Sequence, residues 1–79
     1  MNKEAVFETI IQHVCEVIPR LKDHQFKHDD ALKDLGANSI DRSEIVMMTL
    51  ESLSLNIPLI TIAKAENLGE LASILHEKL

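Results

Sequence analysis

Apolar residues recur every three to four positions over most of the chain, the spacing of α-helices that each bury one face. From Lys3 to about Ile18, the residues Val6, Phe7, Ile10, Ile11, Val14, Val17 and Ile18 share one broad face at 100° per residue. Glu8, Thr9, Gln12 and Glu16 lie opposite. Pro19 disfavours helical geometry at the residue before it and ends this helix near Ile18. A second helix is predicted from Ser39 to about Leu53, with Ile45, Val46, Thr49 and Leu53 facing the core. "NIP" closes the turn that follows. "LITIAKA" fits a short helix or a strand, and the short helix is expected because a lone strand has no sheet to join. The last helix opens at Asn67, with Glu70 at capping-box spacing. Leu68, Leu71, Ala72, Leu75 and Leu79 then follow at helical intervals to the end.

Between the first two helices, Pro19 to Asn38 is longer than a plain loop usually runs. Leu21, Phe26, Leu32 and Leu35 recur along it and are expected to pin it to the helices. "HDDALKDLG" predicts a short helical turn capped by Asp29 or Asp30, with Gly36 supplying a left-handed or otherwise unusual backbone angle. The expected fold is all-α: a small four-helix bundle of three longer helices and a short third one, with a long first loop. Residues 1–79 are expected to form a single domain.

Composition agrees. The chain has 79 residues, 46% of them hydrophobic, with only two glycines and two prolines, which suits a helical domain rather than disorder. A domain this size is too small to enclose a deep active-site cavity of its own. Thirteen acidic against eight basic residues, a formal charge of −5, disfavour nucleic acid and favour partners with basic patches. No apolar run reaches the roughly 18 residues of a membrane span, and "MNKEAVFETI" lacks the apolar core of a signal peptide, so a cytoplasmic protein is expected. With Cys15 the sole cysteine, no internal disulfide forms. Cys15 sits at the edge of the apolar arc and reads as a small structural hydrophobe.

The chemistry concentrates at Ser39, in "KDLGANSIDRSEIVMM". A nucleophilic serine needs a base within reach and a group orienting that base. None of His13, His24, His28 and His76 lies in a hydrolase motif, and "GANSID" lacks the G-x-S-x-G elbow. The histidines have no metal-ligand spacing either, so they read as solvated surface groups, and neither a catalytic residue nor a metal site is expected. As an N-cap, Ser39 would satisfy one backbone N–H. Asn38 is an equally good cap immediately before, and Arg42, three residues beyond Ser39, gives no capping box there. A serine in the first turn is exposed, and a phosphodiester on it would face the positive end of the helix.

The second helix carries another signal. Ile40, Glu44, Met47 and Glu51 lie within about 60° of one another, a ridge on which apolar and acidic groups alternate. Such a ridge suits a partner with an apolar groove flanked by Lys or Arg. Met47 and Met48 add adaptable contact.

"DLGANSIDRSEIVMMTLES" resembles the phosphopantetheine attachment region of acyl carrier proteins, D-x-G-x-D-S-L followed by an acidic helix. The likeness is strong at Asp34, Gly36, Ser39, Asp41 and Glu44, and extends as a pattern over the whole chain. It implies that the Ser39 hydroxyl takes 4′-phosphopantetheine from coenzyme A, attached by a separate phosphopantetheinyl transferase. It also implies that Ile40, Glu44, Met47 and Glu51 form the partner-recognition surface. The arm's thiol then carries acyl groups as thioesters, so that a chain without catalytic machinery takes part in acyl chemistry.

Five positions depart from that pattern: Asn38 stands for Asp, Ile40 for Leu, Arg42 adds a positive charge, and Leu50 and Ser52 stand where fatty-acid carriers tend to be acidic. "GANSIDR" is similar to the discrete donor carriers of polyketide β-branching cassettes. Those carriers present acetyl, made by decarboxylating malonyl, to a hydroxymethylglutaryl (HMG) synthase-like enzyme. The implied partners are that synthase, an acyltransferase and a decarboxylating ketosynthase, visited by a monomer. Two other functions fit the residues: a general malonyl or peptidyl carrier, and an unmodified helical adaptor. For Arg42, contact with the phosphate or discrimination between partners stands beside a side chain folded over the core edge.

Overall fold

Three asparagines start the three longer helices. The side-chain oxygens of Asn2, Asn38 and Asn67 each accept the backbone N–H three residues on, from Ala5, Asp41 and Glu70, all at 2.8 Å. The computed structural model describes Met1–Leu79 and has no strand. Its elements are α1 (Lys3–Val17), a 3-10 turn (Pro19–Leu21), α2 (Ser39–Ser52), α3 (Leu59–Ile62) and α4 (Leu68–Glu77). The all-helical bundle with a short third helix is as expected.

α1 packs on both α2 and α4, and α3 leans on α4. Val6, Ile10 and Val14 of α1, Ile45 and Thr49 of α2, and Leu68 and Leu75 of α4 are fully buried. Thr49 Oγ1 donates to the Ile45 carbonyl at 2.8 Å, so its burial leaves no polar atom unpaired. Leu50 joins the core, while Val46, expected inside, is half-buried beside a cleft described below.

α4 departs from expectation at both ends. Glu70 reaches past its cap to accept the Glu66 N–H at 2.8 Å, so the reciprocal pair with Asn67 does not form. The helix stops at Glu77, leaving Leu79 more than half exposed rather than on the core stripe.

The first loop is tied down as its apolar residues predicted, with Leu21 and Leu32 buried and Phe26 and Leu35 packed against the core. It is also stitched to α4, whose first free N–H groups it satisfies: Leu68 donates to the Asp30 carbonyl at 2.8 Å and Gly69 to His28 at 2.7 Å. A Cβ on Gly69 would lie 2.9 Å from both the Cβ and the carbonyl oxygen of His28, so only glycine permits this approach. The His28 ring stacks on Phe7 at 4.2 Å.

The predicted turn in this loop is present, but neither Asp29 nor Asp30 caps it. The Asp30 carboxylate turns backward, accepting the Lys27 N–H at 2.8 Å and lying 3.0 Å from His24 Nε2. The Lys27 N–H above all, then His24, holds the Asp30 carboxyl below its ordinary range. The turn ends with Gly36 N–H on the Lys33 carbonyl and Ala37 N–H on Leu32, a Schellman closure that places Gly36 at φ +93°.

One histidine is not a surface group. His13 is only 8% exposed and bridges two helices: Nδ1 is 2.6 Å from Glu16 Oε1, and Nε2 is 2.7 Å from Ser52 Oγ at the end of α2. Nδ1 faces the Glu16 carboxylate and Nε2 the Ser52 hydroxyl, so one buried side chain joins α1 to the end of α2. The order serine–histidine–carboxylate is that of a hydrolytic relay, but oxyanion donors are missing. The Leu53, Ser54 and Leu55 N–H groups beyond Ser52 are all spent on α2 carbonyls. The array is a bracket between α1 and α2. Its members lie 39 residues apart, which is why helical spacing alone does not reveal it.

Candidate functional site

The site begins with a cap that frees a hydroxyl. Asn38, not Ser39, caps α2, and the Asp41 carboxylate returns to the Asn38 N–H at 3.4 Å, completing a capping box. Ser39 is therefore the first helical residue. Its exposed hydroxyl forms no hydrogen bond within the protein. The Ser39 and Ile40 N–H groups likewise have no protein acceptor, and they sit at the positive end of a 14-residue helix. An anionic group joined to Ser39 meets those donors.

Two depressions meet at Ser39. On one side a shallow groove of about 520 Å³ runs along α2, bordered by Ile40, Ser43, Glu44, Met47 and Glu51. Ile40 is 73% exposed and Met47 58%, far beyond what a semi-buried core position shows. All four residues of the predicted ridge thus face solvent on one side of one helix. On the other side a cleft of about 660 Å³ opens between α2, α3 and the start of α4, with Val46, Leu59, Ile62 and Ala63 among its walls and Lys33 and Arg42 at its polar edge. The sequence pattern did not single out the α3 wall, because a four-residue helix leaves no periodicity to read.

Arg42 is half-buried at the edge of this cleft. Its Nη1 donates to the Ala37 carbonyl at 2.7 Å, tying the first turn of α2 to the loop before it. The chain's own thiol is removed from the site: Cys15 lies on α1, with its Sγ 3.8 Å from the Leu21 carbonyl, and burial pushes its pKa up.

The site is thus an exposed, unbonded serine at the head of a helix, bordered by a ridge and a cleft on a small all-helical bundle. The phosphopantetheine attachment site family matches residues 8–75. The chain belongs to that family and is an acyl carrier protein. It is 49% identical to the polyketide biosynthesis acyl-carrier-protein AcpK of Bacillus subtilis (strain 168), over 99% of this chain and 95% of that one. It is 28% identical to an acyl carrier protein of Guillardia theta, over 99% and 96% of the two chains. Its structure superposes with a TM-score of 0.95, at 46% identity and over 99% of its length, on the whole of one chain in the crystal structure of the curacin biosynthetic pathway HMG synthase in complex with acetyl donor-ACP. The likeness read from "GANSIDR" is therefore present across the whole fold.

Proposed function

We propose that this protein is the acetyl-donor carrier of a polyketide β-branching system, bearing 4′-phosphopantetheine on Ser39 and delivering acetyl to an HMG-synthase-like enzyme. The observation that carries the reading is the free Ser39 hydroxyl, set at the start of α2 beside an exposed apolar-acidic ridge. Similarity to AcpK and to the chain in the HMG synthase complex supports the pathway.

The residues divide the work. The Ser39 oxygen attacks the pantetheine-side phosphorus of coenzyme A and gives its proton to the transferase's base; the pyrophosphate P–O bond breaks and adenosine 3′,5′-bisphosphate leaves, while the unpaired N–H groups of Ser39 and Ile40 face the new phosphodiester. When bound, the arm supplies a terminal thiol that holds acyl groups as thioesters. Ile40 and Met47 enter an apolar groove on each partner, and Glu44 and Glu51 pair with Lys or Arg at its rim. Arg42 acts on the loop and so on the placing of Ser39, rather than on cargo. The transferase, an acyltransferase and a decarboxylating ketosynthase use the same ridge in turn, which a single-domain cytoplasmic monomer leaves uncovered.

Intact-mass measurement after incubation with coenzyme A and a broad-specificity phosphopantetheinyl transferase tests the attachment. The folded protein is expected to gain one arm and Ser39→Ala none; an unmodified wild type would make it an adaptor instead. Acetylated carrier is then offered to the HMG-synthase-like enzyme. Acetyl transfer is expected, and a synthase that ignores this carrier while accepting another would leave a general malonyl or peptidyl carrier.

A further inference from the structure

The loop that delivers Ser39 is held by two arginines, and the sequence pattern points to only one of them. Within the Schellman turn, the Leu35, Gly36 and Ala37 N–H groups are all spent on carbonyls of residues 31–33. The carbonyls of Leu35 and Ala37, on either side of Gly36, receive no backbone N–H. Each takes a guanidinium instead: Arg42 Nη1 reaches Ala37 at 2.7 Å and Arg20 Nη2 reaches Leu35 at 2.7 Å. Arg20 comes from the 3-10 turn after α1 and Arg42 from α2, so separate elements grip the loop on both sides of its glycine. Bonds with a charged donor are the stronger kind.

Gly36 lies directly under the Arg20 guanidinium. At φ +93° it favours glycine, and a Cβ there would meet Arg20 Nη2. The guanidinium thus occupies the space a side chain at residue 36 would fill. From Gly36 the chain has only Ala37 and Asn38 to pass before Ser39, and Asn38 sets the entry of α2 through its capping box. The direction of the Leu35–Gly36 peptide is passed almost directly to the serine. Arg20 itself is exposed and outside the core, so it adds little to the burial that holds the bundle together.

We infer that Arg20 is a positioning residue for the loading of Ser39: it fixes the Leu35–Ala37 backbone so that the hydroxyl meets the transferase in one orientation. The inference rests on Ser39 being the attachment point.

Loading kinetics with coenzyme A and a broad-specificity transferase test it, on wild type, Arg20→Ala, Arg20→Lys and Lys22→Ala. The last removes a neighbouring exposed positive charge whose side chain makes no hydrogen bond to residues 35–37. Arg20→Ala is expected to lower kcat about tenfold, the worth of one charge-assisted hydrogen bond, and to leave KM for the carrier within about twofold. Its helical signal should persist, and amide resonances of Gly36, Ala37 and Ser39 should move while those of α4 stay. Arg20→Lys, which keeps a charged donor, is expected to recover part of the rate. An undiminished kcat, a rise confined to KM, an equal loss in Lys22→Ala, or a collapse of helical signal in Arg20→Ala would each overturn the inference. A wild type that takes no arm removes the Ser39 reading itself, which separates the two failures.

Discussion

Ser39 owes its freedom to its neighbour. Asn38 takes the capping duty because Asp41 stands three residues beyond it and returns to its N–H, whereas three beyond Ser39 stands Arg42. The sequence offered Asn38 and Ser39 as equal caps, and its one hint was that no box partner stands three residues beyond Ser39. The grips of Arg20 and Arg42 were not legible there, because their acceptors are backbone carbonyls in a loop, and nothing in the residue types of Leu35 and Ala37 marks them. The same holds for His13, whose partner Ser52 lies at the far end of another helix. Cys15 gives a prediction at this scale. With its pKa raised by burial, little thiolate is present at neutral pH, and thiolate is the form that reacts. Alkylation of native apo protein by iodoacetamide, followed by mass, is expected to be at least about tenfold slower than in denaturant. On loaded protein the label should fall on the arm, and equally fast native and denatured rates would contradict the burial.

At the scale of elements, α2 does two things with two faces. Its inner face, through Ile45, Thr49 and Leu50, builds the core, and its outer ridge carries Ile40, Glu44, Met47 and Glu51 into solvent. Two apolar stripes on one helix are readable from spacing alone, which is why this element was well predicted. α3 was harder: four residues distinguish neither helix from strand, and its assignment rested on the lack of a sheet. The exposed stripe makes a separable prediction. Ile40→Ala and Met47→Ala remove little buried area, so each should keep unfolding stability within about 0.5 kcal/mol of wild type in a denaturant titration. Each should lower kcat/KM of the HMG-synthase-like enzyme for the acetylated carrier about five- to thirtyfold, the cost of losing an apolar anchor of 1–2 kcal/mol. Unchanged kcat/KM in both would take the ridge out of recognition.

The whole molecule spans only 29 × 24 × 20 Å and depends on its long loop being fastened at several points. One fastening is the Asp30 carboxylate on the Lys27 N–H and His24, and it makes stability depend on acid. Because the folded-state pKa of Asp30 is depressed, its contribution is fully present above the ordinary aspartate value, near 3.9, and is lost as pH falls through the folded value. Asp30→Asn should therefore melt below wild type at pH 7, and the gap should narrow as pH drops below about 4. A gap that stays constant down to pH 2 would show that the carboxylate is not the group at work.

The junction of two depressions at Ser39 has a mechanical result. On the proposed attachment, a tether rooted where cleft and groove share a border would turn from one wall to the other by rotating its own single bonds. Such a carrier needs no hinge in its fold, and trading partners asks only that the tether swivel while the helices hold still.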